Sequence, residues 1–465
     1  MMVNKKIVRV LILLSVMFLS LIGYLTYIQL FKSEKLASNP YNQRQWDDEN
    51  GTLRGNIYDK NNVLLANTSD GERKYPYKNM YAHIIGYNSK TYGRINIEST
   101  YNDQLLGKNS FANIIGTGRE KQGYDLHLTV DHDIQSAAYN ALGNNNGCVI
   151  ALNPKTGEII AMVSKPDFDP NNEQLAGRWT ELTENEESPF LARATSGLYT
   201  PGSTFKIITS LCAIENGYGN KEFEDSGSVK IGASVFENQK NKSYGLINIT
   251  RGFAVSSNVV FCTLGAELGG EKLRKTAENF GFNKNFDFDI SHNLSSFPVD
   301  EDNIEKSAAL GIVQGEIQST PLQMAIVTCG IANDGKIMKP YIVDEVTDKN
   351  GNVIEKMSPK VLYYCASKAN TEKVKDMMVE TVKTGTGTNA SVYGISVAGK
   401  TGTAENELSS ILNDKEHTWF VGFAPADNPQ IAIVVMMEYS GGTGGGNCAP
   451  IARNIIQKYL SKNNR

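Results

Sequence analysis

The chain has 465 residues, 40% hydrophobic, 21% charged and 9% aromatic, the composition of a folded protein that can bury a core in two or more domains. Its 46 Lys and Arg against 50 Asp and Glu leave a formal charge of −4, which excludes the basic surface that nucleic acid requires. The five histidines are scattered in no HExxH-type spacing, so neither a metal nor a cofactor is expected.

Lys5, Lys6 and Arg9 precede an uncharged apolar run, Val10 to Phe31, which Lys32 closes. That length spans a bilayer as a helix, and the basic flank places the N-terminus in the cytoplasm. A cleaved signal peptide is the competing reading, but the run has no A-x-A-like site and no lipobox cysteine, so an uncleaved single-pass anchor is expected. The organisation that follows is a cytoplasmic tail at 1–9, an anchor at 10–31, a polar stalk or docking module at 32–125 and one domain at 126–465 outside the membrane. Within the stalk, Asn61-Asn62 in "RGNIYDKNNVLLAN" (54–67) reads as a hairpin turn.

In the large domain, "DHDIQSAAYNAL" (131–142) reads as a helix capped by aspartate. "GCVIALNPKTGEIIAMVS" (147–164) predicts a hairpin, as do "HTWFVGFAPA" and "PQIAIVVMMEYS" around "DNP". "SGGTGGGN" (440–447) reads as a flexible loop, after which Pro450 opens a terminal helix in "APIARNIIQKYL". Two hairpins and a terminal helix around a helix-rich middle predict a mixed α/β (α+β) fold, an antiparallel sheet flanked by helices with a helical subdomain. The six cysteines include no CxxC pair and several lie in apolar runs, so buried free thiols are expected rather than disulfides.

"YTPGSTFKIITSLCAIENG" (199–217) predicts a buried helix opened by Pro201 and Gly202 and stopped by Asn216-Gly217. Ser203 stands in its first turn with Lys206 three residues on, on the same face. Backbone N–H groups at a helix start can stabilise an oxyanion, and a lysine made neutral by burial can deprotonate the serine. A plain helix cap beside a surface lysine is the bland account, but a lysine in so apolar a helix needs a reason.

Ser-x-Asn could relay a proton and hold a substrate amide, and it occurs at Ser256-Asn258, Ser291-Asn293 and Ser461-Asn463. The last lies in a polar tail and the second in the irregular "DISHNLSS". The first lies inside an apolar segment, where buried polar groups must find partners.

Lys-Thr-Gly-Thr occurs twice, at 383–386 and 400–403. The first copy follows a helical pattern, so Lys383 reads as a last-turn cation and Gly385 as a helix C-cap. The second follows "YGISVAG", read as an alternating strand. There Lys400, Thr401 and Thr403 offer a cation and hydroxyls to a carboxylate, and Gly402 lets an extended substrate lie against the strand. A cation at Lys400 would also favour a neutral Lys206.

Ser203-x-x-Lys206, Ser256-x-Asn258 and Lys400-Thr401-Gly402, in that order, resemble the signature of penicillin-binding proteins and serine β-lactamases. "YTPGSTFK", "STPLQMA", "VAGKTGTAE" and "TWFVGFAP" resemble the transpeptidase domain of class B penicillin-binding proteins. The short stalk, with "NQRQWDDENGTLRG", resembles the compact penicillin-binding protein A type. The resemblance implies a peptidoglycan D,D-transpeptidase. Ser203 would attack the bond between terminal D-alanines of a stem peptide, with Lys206 as base and the amides of Ser203 and Thr403 as oxyanion hole. Ser256 would relay a proton to the leaving amine and Asn258 hold the substrate amide, while Lys400, Thr401 and Thr403 bind the terminal carboxylate. β-Lactams would acylate Ser203. Stem peptides and lipid-linked precursors are the implied partners, with a separate membrane glycan polymerase, since the stalk is too short for a glycosyltransferase.

A β-lactamase is the first rival, but the region where class A enzymes carry a deacylating glutamate reads "FDFDISHNLSSF". A membrane-bound β-lactam sensor would need a signalling domain ahead of the span, where nine residues stand.

Overall fold

A computed structural model describes residues 5–29, 46, 52–108, 121–298, 303–313, 317–404 and 416–463. Helix α1 (Lys5–Tyr27) is long and apolar enough to cross a membrane, and none of its residues is buried. It includes Lys5, Lys6 and Arg9 in its first turns; Leu30 and Phe31 of the expected anchor lie outside the described residues, as do 42–45 and 47–51 of the quoted stalk motif.

Strands β1 (Ile57–Tyr58), β2 (Leu64–Ser69) and β3 (Glu72–Lys74) follow, the first two joined by the expected turn. Asp59 builds that turn, its Oδ1 accepting from the amides of Asn61 and Val63 at 2.8 and 2.7 Å. Strand β4 (Asp125–Leu128) pairs parallel to β1, and α2 (His132–Leu142) starts on Asp131, whose side chain accepts from the amides of Asp133 and Ile134. Strands β5 (Gly147–Leu152) and β6 (Ile159–Lys165) form the first predicted hairpin.

The helix-rich middle contributes α3 (Lys206–Glu215), α4 (Ile249–Ala254), α5 (Asn258–Leu268) and α6 (Pro321–Ala332). Strands β7 (Val343–Thr347) and β8 (Val353–Lys356) then join the N-terminal strands in a six-stranded sheet of order β8-β7-β4-β1-β2-β3. The sheet that begins with β1, β2 and β3 is therefore completed by strands from residue 125 onward.

After α7 (Lys368–Thr384) come β9 (Ala398–Ala404), β10 (His417–Ala424), β11 (Ile431–Met437) and α8 (Gly444–Asn463). The two predicted hairpins meet along β5 and β11 in a five-stranded antiparallel sheet of order β6-β5-β11-β10-β9, with β9 at the edge. Successive residues face opposite sides. Cys148, Ile150, Val434 and Met436 join the cluster containing α3, α5 and α6, whereas Val149, Ala151, Ile433 and Val435 pack on α2 and α8. All six cysteines are buried and free.

Three local expectations are corrected. "YGISVAG" is mostly a turn, bridged from Val392 to Ile395 with Gly394 at φ 73°, and the strand begins only at Ala398. The terminal helix starts at Gly444, so Pro450 lies inside it. Thr443 starts that helix ahead of the glycines, accepting from the amide of Gly446 at 3.0 Å through its side chain, a cap that glycine's poor helix propensity hides. The helix also runs through Ser461 to Asn463, where Lys462 reaches Asp131 and Asp133, each at 2.8 Å, so this Ser-x-Asn pair is not in a loose tail.

Candidate active site

Ser203 sits, half-buried, in a single 3-10 turn (Gly202–Phe205) that runs into α3. Gly202 opens the turn at φ 54°, and a Cβ there would lie 2.9 Å from the carbonyl oxygen of Thr403. The turn therefore rests on the end of β9. Gly402 is small for the same reason. A Cβ on it would lie 3.0 Å from Thr204 Cγ2 and 3.1 Å from the carbonyl oxygen of Pro201. Gly402 lets the serine turn pack closely on β9, which is an edge strand of its sheet. The serine turn and strand residues 402 and 403 are thus brought together by close packing that only glycines at 202 and 402 allow.

Lys206, one turn on, is fully buried. Its Nζ donates to the carbonyl oxygens of Ser256 (2.9 Å) and Ser257 (3.4 Å), to Ser256 Oγ (3.4 Å) and to Asn258 Oδ1 (2.8 Å). The ammonium also lies 5.3 Å over the ring of Phe261. Burial lowers its pKa from the ordinary lysine value to about 7, so a large share is unprotonated near neutrality.

Lys400 is equally buried, reaching from β9 to Ser256 Oγ and to the carbonyl oxygen of Thr401, each at 3.0 Å. Burial first, and then the charge of Lys206, hold its pKa well below the ordinary lysine value. Two oxygens solvate the Lys400 ammonium in place of the four around Lys206.

Ser256 and Asn258 owe their positions to a junction of helices. Ser256 follows the end of α4 at φ 60°, an uncommon conformation for a residue with a side chain, and Ser257 caps α5 by accepting from the amide of Val260 at 3.1 Å. Behind the junction lies a buried network that no sequence spacing announced. Asp225 accepts from Ser257 Oγ (2.6 Å) and from Asn238 Nδ2 (2.7 Å), while Asn238 Oδ1 accepts from the amide of Asn258 (2.7 Å). Asn258 Nδ2 donates to the carbonyl oxygen of Glu237 at 2.8 Å, which leaves its second N–H for another acceptor. Ser291 and Asn293 stay outside this constellation; Asn293 donates to the carbonyl oxygens of Thr195 (3.0 Å) and Ser196 (2.6 Å).

Another network that sequence reasoning missed steadies the approach to Ser203. Glu438, just beyond β11, accepts from Tyr199 Oη at 2.6 Å and pairs with Arg193 at 2.8 Å, and Tyr199 also bridges through its backbone to Ser319, ahead of α6.

The two Lys-Thr-Gly-Thr copies differ as their surroundings suggested, with one exception. Lys383 is exposed in the last turn of α7 and Gly385 caps that helix. The cap is extended, with φ −104° and ψ −151°, so glycine is not there for a left-handed turn. A Cβ on Gly385 would instead lie 2.2 Å from the carbonyl oxygen of Ala254. The exception is Thr386. Its Oγ1 meets Oγ1 of Thr401, in the other copy, at 2.6 Å.

The family model described as the penicillin binding protein transpeptidase domain matches residues 147–457, and that of the penicillin binding protein A dimerisation domain matches residues 54–125. The chain is 32% identical to the peptidoglycan D,D-transpeptidase PbpA of Mycolicibacterium smegmatis, over 98% of this chain and 99% of that protein. Among solved structures it is similar to the D,D-transpeptidase domain of a peptidoglycan glycosyltransferase from Eggerthella lenta (TM-score 0.79, 34% identity, 89% of this chain and 99% of that one). It is also similar to the ceftriaxone acyl-enzyme of penicillin-binding protein A from M. tuberculosis (TM-score 0.83, 29% identity, again 89% and 99%).

Proposed function

Because the chain belongs to the penicillin-binding protein transpeptidase family, we propose that it is a serine-type peptidoglycan D,D-transpeptidase that β-lactams acylate at Ser203. The observation that carries the reading is the pair of buried lysines, Lys206 and Lys400, converging on Ser256 Oγ beside the turn of Ser203.

Neutral Lys206 takes the proton of Ser203 as Oγ attacks the carbonyl carbon of the penultimate D-alanine. The oxyanion forms against the amides of Ser203 and Thr403, a role supported by the packing of the serine turn on the end of β9. As the peptide C–N bond breaks, the proton reaches the leaving nitrogen through Ser256, which lies within reach of both lysines, and D-alanine departs. The amine of a second stem peptide then attacks the ester, its proton returns by the same route to Ser203 Oγ, and the cross-link is made. Asn258 holds the donor's amide through its remaining N–H. Lys400, Thr401 and Thr403 take the terminal carboxylate, whose charge offsets the cost of an ammonium at Lys400.

Helix α1 anchors the chain with its N-terminus in the cytoplasm, residues 32–125 serve as stalk or docking module, and the domain from 126 works on the outer face of the membrane. A separate membrane polymerase supplies the glycan strands from lipid-linked precursors. The test is incubation of the detergent-solubilised chain with fluorescent penicillin, followed by mass. A stable adduct, lost in Ser203→Ala, is expected; rapid turnover of the adduct would favour a β-lactamase, and no adduct would sink both readings.

A further inference from the structure

Thr401 has one hydroxyl hydrogen, and the contact with Thr386 determines where it points. At 2.6 Å the two oxygens share a short hydrogen bond in which either can donate. If Thr401 donated, its hydrogen would be committed to Thr386 and only lone pairs would face an incoming anion. If Thr386 donates, Thr401 accepts on one side and keeps its own hydrogen for a carboxylate on the other.

The backbone of Thr386 is held in place. Its amide donates to the carbonyl oxygen of Ala254 at 3.0 Å, two residues before Ser256. The Gly385 approach to the same carbonyl locks the loop against the end of α4. The Thr401 methyl lies on the side of Gly445, in the first turn of α8, with Cγ2 at 3.7 Å from where a Cβ there would stand, and its hydroxyl is turned toward Thr386. Thr401 is buried, whereas Thr386 is exposed. The loop that ends the first Lys-Thr-Gly-Thr copy thus ties the helix junction carrying Ser256 to the strand carrying the second copy.

We infer that Thr386 is a positioning residue for the carboxylate end of the cleft, donating its hydroxyl hydrogen to Thr401 so that Thr401 can donate to the substrate's terminal carboxylate. The inference rests on the proposed reading of Lys400, Thr401 and Thr403. It assigns the first copy a part in recognition through its last residue alone.

The experiment uses the full chain in detergent and compares benzylpenicillin with its methyl ester, which lacks the anionic carboxylate. Acylation is resolved into a binding constant K and a rate constant k2. Thr386→Val, similar in shape but without a hydroxyl, is expected to raise K for benzylpenicillin about ten- to a hundredfold, the size of one hydrogen bond to an anion. It should leave k2 within about twofold and acylation by the ester unchanged; Thr386→Ser should restore wild-type K. The inference is overturned if Thr386→Val binds benzylpenicillin like the wild type, if the ester suffers the same loss, or if Thr386→Ser behaves like Thr386→Val. A wild-type chain that forms no adduct at all would instead remove the underlying reading of the site, and this inference with it.

Discussion

Lys400 and Ser256 meet at 3.0 Å, so the edge strand of the five-stranded sheet and the junction of two helices share one hydrogen bond. Lys383, in the same tetrapeptide seventeen positions earlier, is exposed at the end of α7. Lys400→Ala should therefore lower the rate of penicillin acylation on the order of a hundredfold, the scale seen when a preorganised charge is removed from an active site. Lys383→Ala should stay within about twofold of wild type. Gel fluorescence of the penicillin adduct over time measures both, and equal losses would show that the wrong copy was assigned to the site.

The depression of Lys206 sets a pH dependence. With its pKa at about 7, the lysine is a cation below neutrality and cannot take the Ser203 proton; as pH rises through 7 it loses its own proton and becomes a base. Acylation by penicillin should climb about tenfold per pH unit between roughly 5 and 6.5 and level off near 8. Stopped-flow measurement of k2/K across that range checks it. A limb that rises only above pH 9 would mean that Lys206 keeps an ordinary lysine pKa, and a rate with no such limb would mean that another group is the base.

What could be read from the sequence follows from the range of each signal. Strands β5, β6, β10 and β11 were visible because their apolar runs are bounded by turn residues. Ser203 and Lys206 were visible because one helical turn relates them. Ser256-Asn258 stood out from its two duplicates because it alone lies in an apolar segment, and the structure places it between the two lysines. Asp225, Asn238 and Glu438 gave no signal. Each is a single polar residue in a stretch without period, and its partners come from distant segments. Thr386 was passed over because a helix end explained Lys383 and Gly385 completely, and only tertiary packing brings its hydroxyl to Thr401. The start of α8 was misplaced because glycines argue against a helix that Thr443 nevertheless caps.

The network behind Ser256 predicts a residue with a strong indirect effect. Asp225 is fully buried and accepts from Ser257, Asn238 and the amide of Gly227. Asp225→Asn keeps the shape but places an N–H₂ where acceptors are needed, which takes from Ser257 Oγ or Asn238 Nδ2 its shortest acceptor. The cost should be about 1–3 kcal/mol of stability. Loss of position at Ser256 and Asn258 should slow k2 by about tenfold with little change in K. Denaturant titration and acylation kinetics on the same preparation separate the two effects; a variant with wild-type k2 would show that the junction holds its geometry without this network.

A buried carboxylate, Glu98, links two segments of the N-terminal module. Glu98 accepts from Arg54 Nε and Arg73 Nε, each at 2.7 Å, and from Tyr75 Oη at 3.2 Å, so it ties the strand around Arg73 to the segment that leads into β1. Burial by itself would push its pKa up, but the guanidiniums of Arg73 and Arg54 overcome this and hold it at about 2. A carboxylate whose folded pKa lies below its unfolded value contributes stability above the unfolded pKa and loses it as pH falls through the folded one. Here that window runs from about 4.5 down to about 2, and at neutral pH the contribution is on the order of 3 kcal/mol. Glu98→Gln leaves two buried guanidiniums facing a neutral amide and should cost about 3–5 kcal/mol at pH 7. Because the variant has no carboxyl to titrate at this position, the gap between it and the wild type should narrow between pH 5 and pH 3. Urea unfolding of the full chain in detergent at pH 7, 5 and 3 measures that gap. A gap that stays constant with pH would show that the loss comes from packing and not from the charge on Glu98.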